Sequence, residues 1–396
     1  MMEHKPYIKI NAGTAVTRKI LDNLGSPDDA LKIIHIAGTN GKGSTAEFFT
    51  QILVAAGKRV GTFTSPAVYD FYDQFRIDGK PLSPEVAERY FERAAAVSDK
   101  LNPTDFEIQT AGVLLAFKEE GCEWAVIECG MGGLSDATNA INKKELAVIT
   151  SLSMEHTEYL GNTIEEICAQ KAGIIKDCPV VVSPDQGEGA MKFFENTGAI
   201  FPGPCGHNLD CKDNEFLYRG KKFALANPRL FMQCKNVGIA IEGARLLGLS
   251  EEAIYEGIKN TAPRGRCEFF GVGGRTYILD GGHNECALEP LRGYLEFYFP
   301  YDRVTIIFGC LKDKDIDGCL CTLDGPYESE IIAVECLSPR ARGLKDTAEA
   351  CKKYFDNVST AQSVTDALDK ANTKVVAVCG SFTLLKEAKE WIEKRQ

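Results

Sequence analysis

Between residues 32 and 183 the chain alternates short β-branched apolar runs with longer stretches of helical spacing, the mark of a parallel sheet covered by helices. This pattern predicts strands over 32–37, 59–64, 124–128, 146–151 and 179–182, with helices beginning near Ser44, Pro84, Thr104 and Thr163. A second alternating series predicts strands over 277–280, 304–308, 331–334 and 375–378, and helices over 287–298, 348–355 and 386–394. The expected class is therefore α/β, with a smaller C-terminal α/β domain of Rossmann-like pattern. The stretch TAPRGRCEFFGVGGR, residues 261–275, is rich in Pro, Gly and Arg and lacks periodicity. It divides the chain into an expected domain over 1–263, a junction over 264–275 and a second domain over 276–396.

Composition narrows the class without naming a chemistry. The 396 residues are 44% apolar and 26% charged, which excludes a disordered, collagen-like or small disulfide-stapled chain. With 45 Lys+Arg against 56 Asp+Glu the net charge is −11, which argues against nucleic-acid or membrane partners bound over a whole basic surface. No apolar run approaches the ~18 residues that span a bilayer, and the start MMEHKPYIKINAG lacks the apolar core of a secretion signal. A cytoplasmic location is expected. The 15 cysteines are odd in number and scattered, so they read as reduced thiols. Cys310, Cys319 and Cys321 have no standard zinc spacing.

The sharpest local signal is KIIHIAGTNGKGSTAEFFTQIL, where an apolar strand enters Gly38-Thr39-Asn40-Gly41-Lys42-Gly43-Ser44 and a helix follows. Glycines let the backbone turn its N–H groups inward, and a helix N-terminus adds partial positive charge, so a polyphosphate is favoured there. Lys42 would neutralise the β/γ-phosphates. The G-x-x-G-K-G-S spacing is shorter than the common G-x-x-x-x-G-K-[ST]. The plainer reading is a tight strand-to-helix connection, but Lys, Ser and both flanking elements favour nucleotide binding.

Further candidates fall at predicted strand ends. The 124–128 strand ends in Glu128, an acid placed where α/β sheets bind ligands and suited to a hard cation such as Mg²⁺. Ser65 and His156 also fall just past strand ends. Taken alone, Glu128 could be a solvated strand-end charge, and His156 a hydrogen-bonded structural histidine. Lys171 is simply a cation near the C-terminal end of an amphipathic helix. Asp280 ends a strand, Gly281-Gly282 turn, and His283 and Asn284 reach a helix start, where Asn is a good N-cap.

These segments together resemble folylpolyglutamate synthase/dihydrofolate synthase, within the Mur ligase superfamily of ATP-dependent amide-forming enzymes. The resemblance runs through LGSPDDALKIIHIAGTNGKGST, TSPA (64–67), DFEIQT (105–110), IECGMGGLSDATN (127–139) and SLSMEHTEYLGNTIEEICAQKAGIIK (151–176). It continues through GR (265–266), DGGHN (280–284) and DKD (313–315), so it spans almost the whole chain. It implies ATP and Mg²⁺, with Ser65, Glu128 and His156 on the metal and Lys171 carbamylated, since an ammonium would repel Mg²⁺. It further implies that Asn236 helps enclose the nucleotide and that Arg266, Asp280, His283 and Asn284 contact ATP from the C-terminal domain, so that nucleotide sits between domains. Lys42, Lys171 and His156 are then the catalytic set. The small-molecule substrates implied are ATP, L-glutamate and a folate or dihydropteroate, joined through an acyl phosphate, and the implied state is a monomer.

The sequence departs from the family pattern at Ala67, where TSPH is usual, at Asp73-Gln74 for Glu-Arg, at Leu134-Ser135 for Arg-Leu, and at Glu155 for Asp. Phosphoryl chemistry is therefore better supported than the acceptor's identity. A cell-wall amino-acid ligase has little room, because the phosphate loop begins at residue 38. A divergent ligase with another acceptor, or a non-catalytic ATP-binding paralogue, remains as an alternative.

Overall fold

The computed structural model describes residues 13–98, 100–154, 157–184, 186–203, 205–206, 215–225 and 233–396. The chain forms two compact units. The first comprises Met1–Pro66 and Tyr72–Thr261, and the second Ala67–Phe71 and Ala262–Gln396.

The first unit's strands are β1 (Lys32–Ala37), β2 (Val60–Phe63), β3 (Phe75–Ile77), β4 (Lys80–Pro81), β5 (Trp124–Glu128), β6 (Leu146–Ile149), β7 (Val180–Val182), β8 (Cys205–Gly206), β9 (Glu215–Tyr218) and β10 (Lys221–Ala224). Its helices are α1 (Ala15–Asn23), α2 (Lys42–Ala55), α3 (Pro84–Ala96), α4 (Asp105–Glu119), α5 (Thr157–Leu160), α6 (Ile164–Ala172), α7 (Glu188–Glu195), α8 (Cys234–Leu246) and α9 (Glu251–Asn260). β1 to β7 make one sheet ordered β4-β3-β2-β5-β1-β6-β7. β2, β5, β1, β6 and β7 run parallel, while β3 and β4 add an antiparallel edge. All five predicted strands are present in that parallel core. Each is mostly apolar and buried because both faces are covered, with His35, Thr62 and Glu128 as buried polar exceptions. Ile34, Ile36, Val126 and Val148 pack with Phe48, Phe49 and Ile52 of α2 and with α8 and α9. On the other face Ala37, Ala147, Ile149 and Val182 pack with Cys168 of α6 and Phe194 of α7. Doubly wound sheets of this kind bind ligands beyond the carboxyl ends of their strands. Those ends lead into Gly38, Ser65, Cys129 and Ser151.

The second unit's strands are β11 (Glu268–Val272), β12 (Arg275–Leu279), β13 (Arg303–Phe308), β14 (Glu328–Ala333), β15 (Val358–Thr360) and β16 (Val375–Cys379). Its helices are α10 (Glu285–Tyr298), α11 (Ile316–Leu323), α12 (Leu344–Cys351), α13 (Val364–Lys370) and α14 (Leu385–Glu393). The sheet order is β11-β12-β16-β13-β14-β15, parallel except where β11 pairs antiparallel with β12. Within the span 264–275, where composition predicts a junction, Glu268–Val272 is thus a strand of this sheet. Its partly exposed residues do not alternate cleanly, so periodicity hides it. Cys310 and Cys319 are buried among apolar side chains, whereas Cys321 is exposed. Among the described residues no helix is long and apolar enough to cross a membrane.

Candidate active site

The Gly38–Ser44 loop is built as its sequence requires. Gly38 has φ 149° and Gly41, the residue capping α2, has φ 87°, both in the region that favours glycine. A Cβ at Gly38 would lie 1.8 Å from Thr150 Oγ1, and one at Gly41 would lie 2.5 Å from Asn236 Oδ1. The loop is tied to the end of β6: Thr39 N–H donates to Ser151 O (2.8 Å), and Ser153 N–H donates to Thr39 Oγ1 (3.1 Å). Asn40 N–H also donates to Ser151 O, at 3.3 Å.

That geometry narrows which amides of the loop are open to an anion. Thr39 and Asn40 spend their N–H groups on Ser151, so the donors left by helix geometry are those of the first turn of α2, from Lys42 to Ser44. Nothing in the side chains announces Ser151 in this role, because it acts through its carbonyl.

Two ammonium groups converge on one carbonyl. Lys42 Nζ donates to Gly38 O (2.9 Å) and Thr39 O (3.0 Å), and Lys171 Nζ donates to Gly38 O at 2.8 Å. Lys171 lies in the last turn of α6 and is only 1% exposed. Glu128 is buried, and its Oε2 accepts from Ser65 N–H at 3.3 Å. The same oxygen lies 3.4 Å from where a Gly43 Cβ would stand, so the carboxylate faces the first turn of α2. Asn236 Nδ2 donates to Gln233 Oε1 (2.6 Å), leaving its Oδ1 beside Gly41. The loop, Lys42, Lys171, Glu128, Ser65 and Asn236 are therefore brought together. His156 and Glu155 lie outside the described residues.

Arg266, Asp280, His283 and Asn284 belong to the second unit. The Arg266 guanidinium stacks 4.6 Å from the centre of the Phe382 ring. Asp280 is buried and accepts from Cys267 N–H (2.8 Å) and Gly282 N–H (2.6 Å); burial pushes its carboxyl above the usual range, and Arg266 opposes that shift. His283 Nδ1 donates to Gly281 O at 2.9 Å. Asn284 Oδ1 accepts from Ala287 N–H at 2.8 Å and caps α10, the local role its type predicts. Of the departures from the family pattern, Gln74 is buried and Leu134 is half exposed.

Residues 36–199 match the Mur ligase middle domain and residues 265–382 the Mur ligase glutamate ligase domain. The dihydrofolate synthase/folylpolyglutamate synthase of Bacillus subtilis is 30% identical, over 96% of this chain and 95% of its own length. The chain belongs to this family. Its dihydrofolate synthase/folylpolyglutamate synthase fold is shared with solved structures. Escherichia coli FolC in complex with DHPP and ADP superposes with a TM-score of 0.86 at 28% identity, covering 99% of this chain and 95% of that one. The Yersinia pestis enzyme complexed with AMPPNP and Mn ion gives 0.85 at 27% identity, covering 99% and 96%. Membership gives the convergence at Gly38 a chemical meaning that a Gly-rich turn alone lacks.

Proposed function

We propose that this chain is an ATP-dependent ligase that joins L-glutamate to a folate-type carboxylate. The observation that carries the site assignment is the meeting of Lys42, Lys171 and the buried Glu128 at the start of α2. A triphosphate oxygen carries a negative charge that a peptide carbonyl lacks, so it adds direct Coulomb attraction to the hydrogen bond with an ammonium. Lys42 accordingly leaves the Gly38 and Thr39 carbonyls for the phosphates, while the first-turn N–H groups of α2 hold them.

The oxygen donors present suit magnesium. Glu128 supplies a buried carboxylate and Ser65 a hydroxyl, the hard ligands that Mg²⁺ prefers. Lys171 fits that set only as a carbamate, which replaces a repelling ammonium with anionic oxygens and keeps one N–H for Gly38 O. When bound, Mg²⁺ offsets the negative charge of the triphosphate oxygens.

The acceptor carboxylate attacks the γ-phosphorus of ATP, giving an acyl phosphate and ADP. The glutamate amine then attacks the acyl carbon, and phosphate leaves. Lys42 and the loop amides offset charge that grows on the departing ADP oxygens, which is how this loop lowers the barrier. The second unit's Arg266, Asp280, His283 and Asn284 enter this reading as nucleotide contacts on the family pattern.

The deciding experiment incubates the protein with ATP, Mg²⁺ and glutamate, supplying dihydropteroate or tetrahydrofolate in parallel, and weighs the products. A mass gain of one glutamate on either acceptor is expected, with phosphate released only when acceptor and glutamate are both present. Phosphate release that ignores the acceptor would instead favour a nucleotide-hydrolysing switch, and no release at all a non-catalytic ATP-binding protein.

A further inference from the structure

The end of a helix leaves carbonyls that the helix itself does not pair, and at the end of α6 one loop takes up the Gln170 carbonyl and those of Gly173 and Ile174, the two residues that follow the helix. Leu134 N–H donates to Gln170 O at 2.6 Å. Asn139 Nδ2 donates to Gly173 O (3.0 Å) and to Leu134 O (3.1 Å). Lys144 Nζ donates to Ile174 O (2.8 Å) and to Asn139 Oδ1 (2.7 Å). Both ends of the Asn139 amide are thereby used, and it is buried.

The backbones leave no slack around it. A Cβ on Gly133 would lie 2.7 Å from Gln170 O and 2.9 Å from Lys171 O, and one on Gly173 would lie 2.6 Å from Leu134 Cα. Lys171 stands between these contacts, and its ammonium meets Gly38 O at 2.8 Å. Where the last turn of α6 sits therefore decides where the Lys171 nitrogen meets the phosphate loop.

We infer that Asn139 is a positioning residue for the ligase reaction: by joining Leu134 O to Gly173 O, it holds the end of α6 so that Lys171 reaches Gly38. Lys144 braces it from behind. This rests on the proposed participation of Lys171, and the test separates the two.

Asn139→Asp keeps the size and the acceptor toward Lys144 but loses both donations; Asn139→Ala removes the group. In full-length protein, without nucleotide and in bicarbonate-free buffer, Lys171 is labelled with an amine-reactive reagent and its rate is read by mass spectrometry against exposed Lys192. Both variants should label Lys171 faster by about tenfold or more, and lower kcat by about tenfold or more with the acceptor KM little changed, because a misplacement near 1 Å is enough for such losses. Thr163→Ala, at the opposite end of α6, should leave Lys171 protected. Lys171 as protected as in the wild type, in variants that fold, overturns the positioning role. Failure of both variants to fold also overturns it, since the residue would then serve the fold alone. Faster labelling with undiminished kcat overturns it from the other side, by showing that the reaction does not use Lys171.

Discussion

At the scale of single residues, the Gly38–Ser44 loop leaves its atoms little room to vary. Lys42→Ala removes the only side-chain cation in Gly38-Thr39-Asn40-Gly41-Lys42-Gly43-Ser44 and should cut ligase turnover on the order of 100-fold or more, read as kcat for glutamate addition. Gly38→Ala pushes a Cβ onto Thr150 Oγ1 and should cost about 1–3 kcal/mol or more in denaturant unfolding. Lys144 gives a pH signature. Burial, with Lys176 second, brings its ammonium down to about 7 from the ordinary lysine value of 10.5. Below pH 7 the group is protonated in folded and unfolded chains alike. Between 7 and 10.5 only the unfolded chain keeps the proton, so this group's contribution to stability rises with pH. Wild-type stability relative to Lys144→Met should climb across pH 7–9 by up to about 1.4 kcal/mol per unit. A flat difference would show that Lys144 is not titrating there. Asn139 stood in the DATN segment in plain view, yet its role depends on α6, which arrives 25 or more residues later in the chain.

At the scale of elements, α6 is fastened at both ends by different means. Thr163 and Glu166 form a capping box at its start, and the Leu134–Asn139–Lys144 contacts hold its finish. Thr163→Ala should cost about 1 kcal/mol of stability while leaving turnover within about twofold, because Lys171 is in the other end turn. A large loss of turnover in that variant would mean that the whole helix, not its last turn, sets the lysine. The parallel strands buried on both faces were legible as mostly apolar runs; β15, a partly exposed parallel edge strand, was not. The helix starts expected near Pro84 and Thr163 agree with the structure, where Ser83 and Thr163 cap α3 and α6. The β3–β4 hairpin, the β8–β10 sheet and β11 were not legible. These antiparallel and edge strands run for only two to five residues, too few for a period to declare itself.

At the scale of the whole molecule, nucleotide binding should register as stability. ADP with Mg²⁺ at 100 times its dissociation constant should add about 2.7 kcal/mol to the unfolding free energy of the unit that holds the loop. That increment should shrink in Lys42→Ala, as scanning calorimetry with and without ligand would show; an equal increment in both proteins would remove Lys42 from nucleotide binding. The family matches account for the chain from residue 36 to 382 with one gap, and order of motifs was enough to read them. The sequence by itself determined the α/β class, the Gly-rich strand-to-helix turn at 38–44 and the acid that ends β5, because local periodicity, glycine conformation and strand-end placement are properties of contiguous residues. Only the tertiary structure decided that Ser151 takes the loop's first amides, that Lys171 and Lys42 share Gly38 O, that Asn139 secures α6, and that Ala67–Phe71 joins the second unit. Each of those is a meeting of residues far apart in the chain, often through backbone atoms that every residue carries alike, so no residue type could announce it.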